Sequence, residues 1–183
     1  MITWITLGIV ATALTYTIYT YNSLISLENR VDNAWSQIRV QLKRRSDLIP
    51  NLVETAERYA EHEKDVFKAV SEARSKLQAA STPHENAEAS EALSASLGKL
   101  FAVAEDYPDL KADTQYRQVQ EELSSTENKI AYARQHYNDI TTVYNTRIES
   151  FPSNIIAALF SFAQRELFQL ADEALDNLDL DYS

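Results

Sequence analysis

Apolar side chains follow three different rhythms along this chain. Across residues 2–21 they run almost unbroken, and no charged side chain occurs before Glu28. Those 20 residues would extend about 30 Å as a helix, the hydrocarbon thickness of a bilayer. The interspersed threonines can bond back to carbonyls of the preceding turn, which makes them tolerable in lipid. Trp4 near one end and Tyr16, Tyr19 and Tyr21 near the other fit two interfacial aromatic belts. A secretory signal would need a basic n-region, which is missing, and its only small-x-small site, Ala11-Thr12-Ala13, comes too early to follow a full apolar core. A buried core helix is the other rival, but nothing else in the chain is matched to a helix apolar on all sides. A transmembrane anchor over residues 1–21 is therefore expected, in contact with the lipid bilayer through residues 2–21.

The second rhythm is helical. Leu24, Leu27, Val31, Ala34 or Trp35, Ile38 and Leu42 form one stripe that continues from the span without a breaker. Anchor and first domain helix are thus predicted as one element. Pro50 disfavours α geometry at Ile49, so a break or sharp kink is expected there. A second helix is expected over residues 51–80, with a surface loop at Ser81-Thr82-Pro83-His84 and a weaker Ala/Ser-rich helix over residues 85–104. Residues 105–109 read as a turn.

The third rhythm is a heptad. Tyr116, Val119, Leu123, Thr126, Ile130, Ala133, Tyr137, Ile140, Tyr144 and Arg147 alternate steps of three and four, which is a coiled-coil-like seam on a helix over residues 113–149. Such a helix, about 55 Å long, needs other long helices beside it. Its tyrosine hydroxyls need partners, which predicts that they sit at the bundle margin. Phe151-Pro152-Ser153-Asn154 marks a stop, and a short helix over residues 155–170 follows. Residues 171–183 read as an acidic, disordered tail.

Composition narrows the picture to one fold class. Two glycines and four prolines cannot supply the turns of a sheet protein. An all-α fold is expected: the anchor, then an antiparallel bundle of about four long helices over residues 22–170. With no cysteine, disulfides, thiolate metal sites and thiol catalysis are excluded. The net charge of −10 is distributed as +1 over residues 28–60, −5 over 61–110, −1 over 111–150 and −5 over 151–183. That acidic body argues against nucleic-acid binding. Arg30, Arg39, Lys43, Arg44 and Arg45 follow the span and none of their kind precedes it, which places the N-terminus outside and the domain in the cytoplasm. Lys43-Arg44-Arg45 lies about 24 Å past the span, too far to serve as a lipid patch. A solvated face or an acidic neighbouring helix is its expected surrounding.

Candidate chemistry is sparse. His62, His84 and His136 lack the Glu-x-x-His pattern of di-metal bundles, and surface or capping roles are expected. No nucleophile elbow or phosphate-cradling glycine loop occurs. Glu127-Asn128-Lys129 beside the seam predicts a polar network that fixes helix register. The Tyr137-Asn138 and Tyr144-Asn145 pairs recur at seven residues and are read as packing. No catalytic residue, cofactor or metal site is expected. The apolar stretch from Ile155 is the best candidate interaction surface, with Ile156, Phe160, Phe162 and Leu167 as its named members.

Val31-Asp32-Asn33-Ala34-Trp35-Ser36-Gln37-Ile38 and Val40-Gln41-Leu42-Lys43-Arg44-Arg45-Ser46-Asp47-Leu48-Ile49-Pro50-Asn51-Leu52 resemble the LemA family. So do Tyr107-Pro108-Asp109-Leu110, Thr126-Glu127-Asn128-Lys129-Ile130-Ala131, Tyr137-Asn138, Tyr144-Asn145 and Phe151-Pro152-Ser153-Asn154-Ile155-Ile156-Ala157. The resemblance runs from about Tyr21 to Phe168 and implies an N-terminal transmembrane helix, a short external N-terminus and a helical-bundle domain. It implies no activity. The functional expectation is a membrane-anchored scaffold or interaction module, self-associating or bound to another membrane protein. The alternative is a membrane-surface remodelling or sensing protein that uses residues 155–168.

Overall fold

A computed structural model describes residues 1–170. The tail expected over residues 171–183 lies outside the described residues. Six helices follow one another: α1 (Ile2–Glu57), α2 (Lys64–Ala79), α3 (Pro83–Ala104), α4 (Pro108–Ala112), α5 (Thr114–Glu149) and α6 (Ser153–Leu159). No strand occurs among the described residues. They fall into two compact units. The first comprises residues 1–35 and 136–167, and the second residues 36–135 with 168–170.

Helix α1, 56 residues and about 84 Å long, confirms that the apolar segment and the next stripe form one element. Its apolar segment is long enough to cross a membrane, and none of that window is buried. Thr12, Thr15 and Thr17 donate their hydroxyls to the carbonyls four residues back, each at 2.9 Å. From Thr20 on, one face turns inward. In the first unit Leu24, Val31 and Ala34 of α1 are buried, as are Tyr137, Ile140, Tyr144 and Ile148 of α5. The ring centroids of Trp35 and Tyr137 lie 5.6 Å apart.

The expected break at Pro50 does not occur. Proline removes one amide donor, and the carbonyl that loses it is that of Ser46, four residues earlier. Arg74 of α2 donates its Nε–H to this carbonyl at 2.9 Å. The pyrrolidine ring itself is exposed. A guanidinium thus replaces the missing amide, and the helix continues to Glu57.

The chain breaks instead at residues 58–63, which carry neither glycine nor proline. Tyr59 donates its hydroxyl to Asp113 Oδ2 at 3.0 Å, and the hydroxyl of Tyr107 lies 3.4 Å from Glu63 Oε1. These tertiary bonds hold the turn, and the helix expected over residues 51–80 becomes the end of α1 plus α2. Helix α3 starts earlier than expected, because Thr82 and Glu85 form a capping box and Pro83 takes the first helical position. Helix α2 packs along α3 through Phe67, Val70, Ala73 and Leu77.

Helix α5 matches the heptad reading within a residue at its start. Asp113 caps it by accepting the Tyr116 amide at 2.9 Å. That bond and the Tyr59 hydroxyl hold the Asp113 carboxyl below its ordinary pKa. Every seam position except Arg147 is buried. The seam tyrosines do not sit at a margin: Tyr116, Tyr137 and Tyr144 are all buried.

Candidate interaction surface

Helix α6 ends at Leu159, well short of the expected Leu170, and the ending has a clear local cause. Ser161 adopts the left-handed conformation at φ 59°. The Phe162 amide donates to the Ala157 carbonyl at 2.9 Å, and the Ser161 amide to that of Ala158 at 3.3 Å. Those two bonds are the Schellman closure, with serine where glycine is usual. Beyond it the chain is irregular, neither helix nor strand, over residues 162–167.

This irregular segment, residues 162–167, is held by α1 and α5 within the first unit. Tyr144 donates its hydroxyl to the Ala163 carbonyl at 3.0 Å, and Tyr137 donates to that of Glu166 at 2.7 Å. Asn145 grips the Arg165 backbone from both sides. Its Nδ2 donates to the carbonyl and its Oδ1 accepts the amide, each at 2.9 Å. The Arg165 guanidinium reaches Glu28 Oε1 at 2.9 Å and Asp32 Oδ1 at 3.4 Å. Two tyrosines seven residues apart, with the asparagine that follows the second, thus serve as a strap holder. Burial raises the pKa of both tyrosine hydroxyls, which keeps them protonated as donors.

Around α6 the sequence-named residues separate. Ile156 is buried against the first unit's core. Phe160 is exposed, while Phe162 and Leu167 are half-buried. The rings of Phe160 and Phe162 both lie against Tyr21, with centroids 4.7 and 5.8 Å away. Three further exposed apolar residues lie on α6 or just before it: Phe151 at 80%, Ile155 at 58% and Leu159 at 70% accessibility. Their spacing of four residues is a signal that the sequence already carried.

The basic run and the polar triplet meet in the second unit. Lys43 pairs with Asp47 on its own helix, and Arg44 reaches Glu122 of α5 at 3.6 Å. Arg45 is buried and donates to Ser94 Oγ at 3.0 Å, with Glu127 at 3.8 Å. Desolvation lowers its pKa, opposed by Glu127 and Glu91. An acidic neighbouring helix therefore receives this run, as expected. The triplet is not a buried network, however. Glu127, Asn128 and Lys129 are all exposed, and Glu127 alone of the three reaches Arg45. Asn128 and Lys129 line an open groove of about 730 Å³ with Gln37, Val40 and Tyr132.

His62 and His136 are exposed. His84 faces the Gln169 carbonyl through Nδ1 at 3.0 Å and Glu88 through Nε2 at 3.4 Å. Among the described residues, no three His, Cys, Asp or Glu side chains group as a metal site.

The helices define an all-helical protein whose first element offers one candidate membrane span. The chain belongs to the LemA family, whose profile matches residues 34–181. It is 28% identical over 163 residues to Protein LemA of Metamycoplasma hominis, covering 88% of this chain and 74% of that protein. It is 26% identical over 175 residues to magnetosome protein MamQ 2 of Paramagnetospirillum magneticum. It is 24% identical over 174 residues to magnetosome protein MamQ of Magnetospirillum gryphiswaldense. Both of these matches cover 81% of this chain but 64% of the relative, so the chain spans less than two thirds of the magnetosome proteins' length.

Proposed function

We propose that this chain is a membrane-anchored helical scaffold that crosses the bilayer once through residues 2–21 and recruits other chains through its helices, without catalysis. The observation that carries the reading is the change in burial along α1. Its apolar side chains stand uncovered up to Tyr19, and the same helix buries an apolar stripe from Leu24 onward. Twelve uncovered apolar side chains on one stretch of helix have no place in water, and a bilayer gives them one.

Within the second unit, an antiparallel arrangement of α1 and α5 fits the pairing of Arg44 with Glu122 on the two helices and of Tyr59 with Asp113 just beyond their facing ends, since one partner's number rises as the other's falls. Positive charge after the span favours a cytoplasmic domain. Self-association or binding of another membrane protein is the role left to a domain with so little polar chemistry in its interior. Cross-linking of the full chain in native membranes, followed by mass spectrometry, tests this. Adducts of defined size are expected, either multiples of this chain or one reproducible partner. Monomer alone, with nothing co-purifying, overturns the recruiting role.

A further inference from the structure

We infer that the rim formed by Phe151, Ile155, Leu159 and Phe160 is a second membrane contact, which lies in the interfacial layer of the leaflet where the span ends. The inference rests on the anchor reading. Tyr21 is the last residue of the predicted span, which places its ring at the headgroup boundary. The Phe160 ring packs against that ring, tilted by 56° with centroids 4.7 Å apart, and is therefore held at the same depth. Helix α6 ends at this point, so its exposed side chains cannot be far from the boundary. Ile155 and Leu159, one turn apart, share a face of α6 that points away from buried Ile156 and Ala157.

Four exposed apolar side chains on and flanking one short helix, whose end meets the end of a span, are better covered by acyl chains than by water. No charged side chain lies between Ser150 and Gln164, so this contact requires no anionic lipid. The strap beyond it is engaged by Tyr137, Tyr144 and Asn145, which confines the membrane contact to α6 and its two ends. Docking at this second point would hold the first unit against the bilayer instead of letting it pivot on the span.

The absence of cysteine allows unique spin labels. Ile155→Cys, Leu159→Cys, Ile9→Cys and His136→Cys variants of the full chain are labelled and reconstituted in phosphatidylcholine bilayers. Collision with oxygen is then compared with collision with a water-soluble nickel chelate. His136 adjoins Tyr137, which contacts Trp35 about 20 Å along α1 from Tyr21, and serves as the aqueous reference. All four positions lie outside the buried core, and circular dichroism verifies each fold.

Lipid-type accessibility at positions 155 and 159, with oxygen favoured several-fold relative to position 136, is the expected result. Aqueous values there with lipid values at position 9 overturn the second contact and leave the anchor standing. Aqueous values at position 9 remove the anchor and this inference together. Labels at 155 and 159 shielded from both reagents, with spin–spin broadening, assign the rim to a second copy and overturn the lipid contact.

Discussion

Replacing Arg74 with methionine tests why a 56-residue helix survives a proline in its interior. The Ser46 carbonyl loses its helical donor at Pro50 and takes the Arg74 Nε–H at 2.9 Å instead. A hydrogen bond from a charged donor contributes about 1.5–3 kcal/mol, and a buried carbonyl left unpaired costs about 1–3 kcal/mol. Arg74 is half-exposed, which admits some water and reduces the expected loss to about 1–2 kcal/mol. Methionine keeps most of the aliphatic stem, so packing changes little. The decisive step is the double mutant. In a Pro50→Ala background the residue-50 amide can donate to Ser46, and Arg74 becomes dispensable. Arg74→Met should then cost about 0.5 kcal/mol or less, a coupling of roughly 1 kcal/mol between the two positions. The four proteins of the cycle are unfolded with urea in identical micelles and followed by far-UV circular dichroism. Arg74→Met costing the same in both backgrounds would refute the substitution of guanidinium for amide.

Other outcomes follow from the same geometry. The Tyr116 hydroxyl is buried without a partner, and burial, then Glu105, pushes its pKa up to about 12. Because the folded pKa lies above the unfolded one, the stability it contributes is intact below about pH 10 and lost as pH rises towards 12. Tyr116→Phe should be neutral or stabilising at pH 7 and should flatten that alkaline loss, as urea titrations at both pH values would show. Asn145→Leu removes both backbone bonds to Arg165 and should cost about 1–2 kcal/mol in the same denaturation assay. It should also speed amide exchange at Arg165 by tenfold or more, whereas unchanged exchange would remove the strap-holder role. Ser161→Gly relieves the left-handed backbone at φ 59° and should raise stability by about 0.5–1 kcal/mol. A lower urea midpoint for that variant would contradict the Schellman assignment.

How far the sequence reached depended on whether local pattern or tertiary contact decided each element. The heptad of α5 and the stripe of α1 were legible because burial of one face dictates helical spacing. Pro50 misled because its local penalty is offset by Arg74, 24 positions away in sequence, and no local rule reports that. The turn at residues 58–63 was hidden for a related reason: hydrogen bonds from Tyr59 and Tyr107 hold it, without glycine or proline. Residues 162–167 read as helix because their partners, Tyr137, Tyr144 and Asn145, lie on another element. The Tyr-Asn repeat is plain in the sequence, but its role as a grip on non-helical backbone follows only from the fold. Of the four residues named for an interaction surface, Ile156 was spent on the core, and the exposed rim passed to Phe151, Ile155 and Leu159 beside Phe160.

The account depends above all on residues 2–21 lying within lipid. Extraction of membranes from expressing cells with alkaline carbonate, followed by ultracentrifugation, examines this with the intact chain. The protein should remain entirely in the pellet and leave it only with detergent. Its release into the carbonate supernatant would show a peripheral or soluble protein and contradict the anchor.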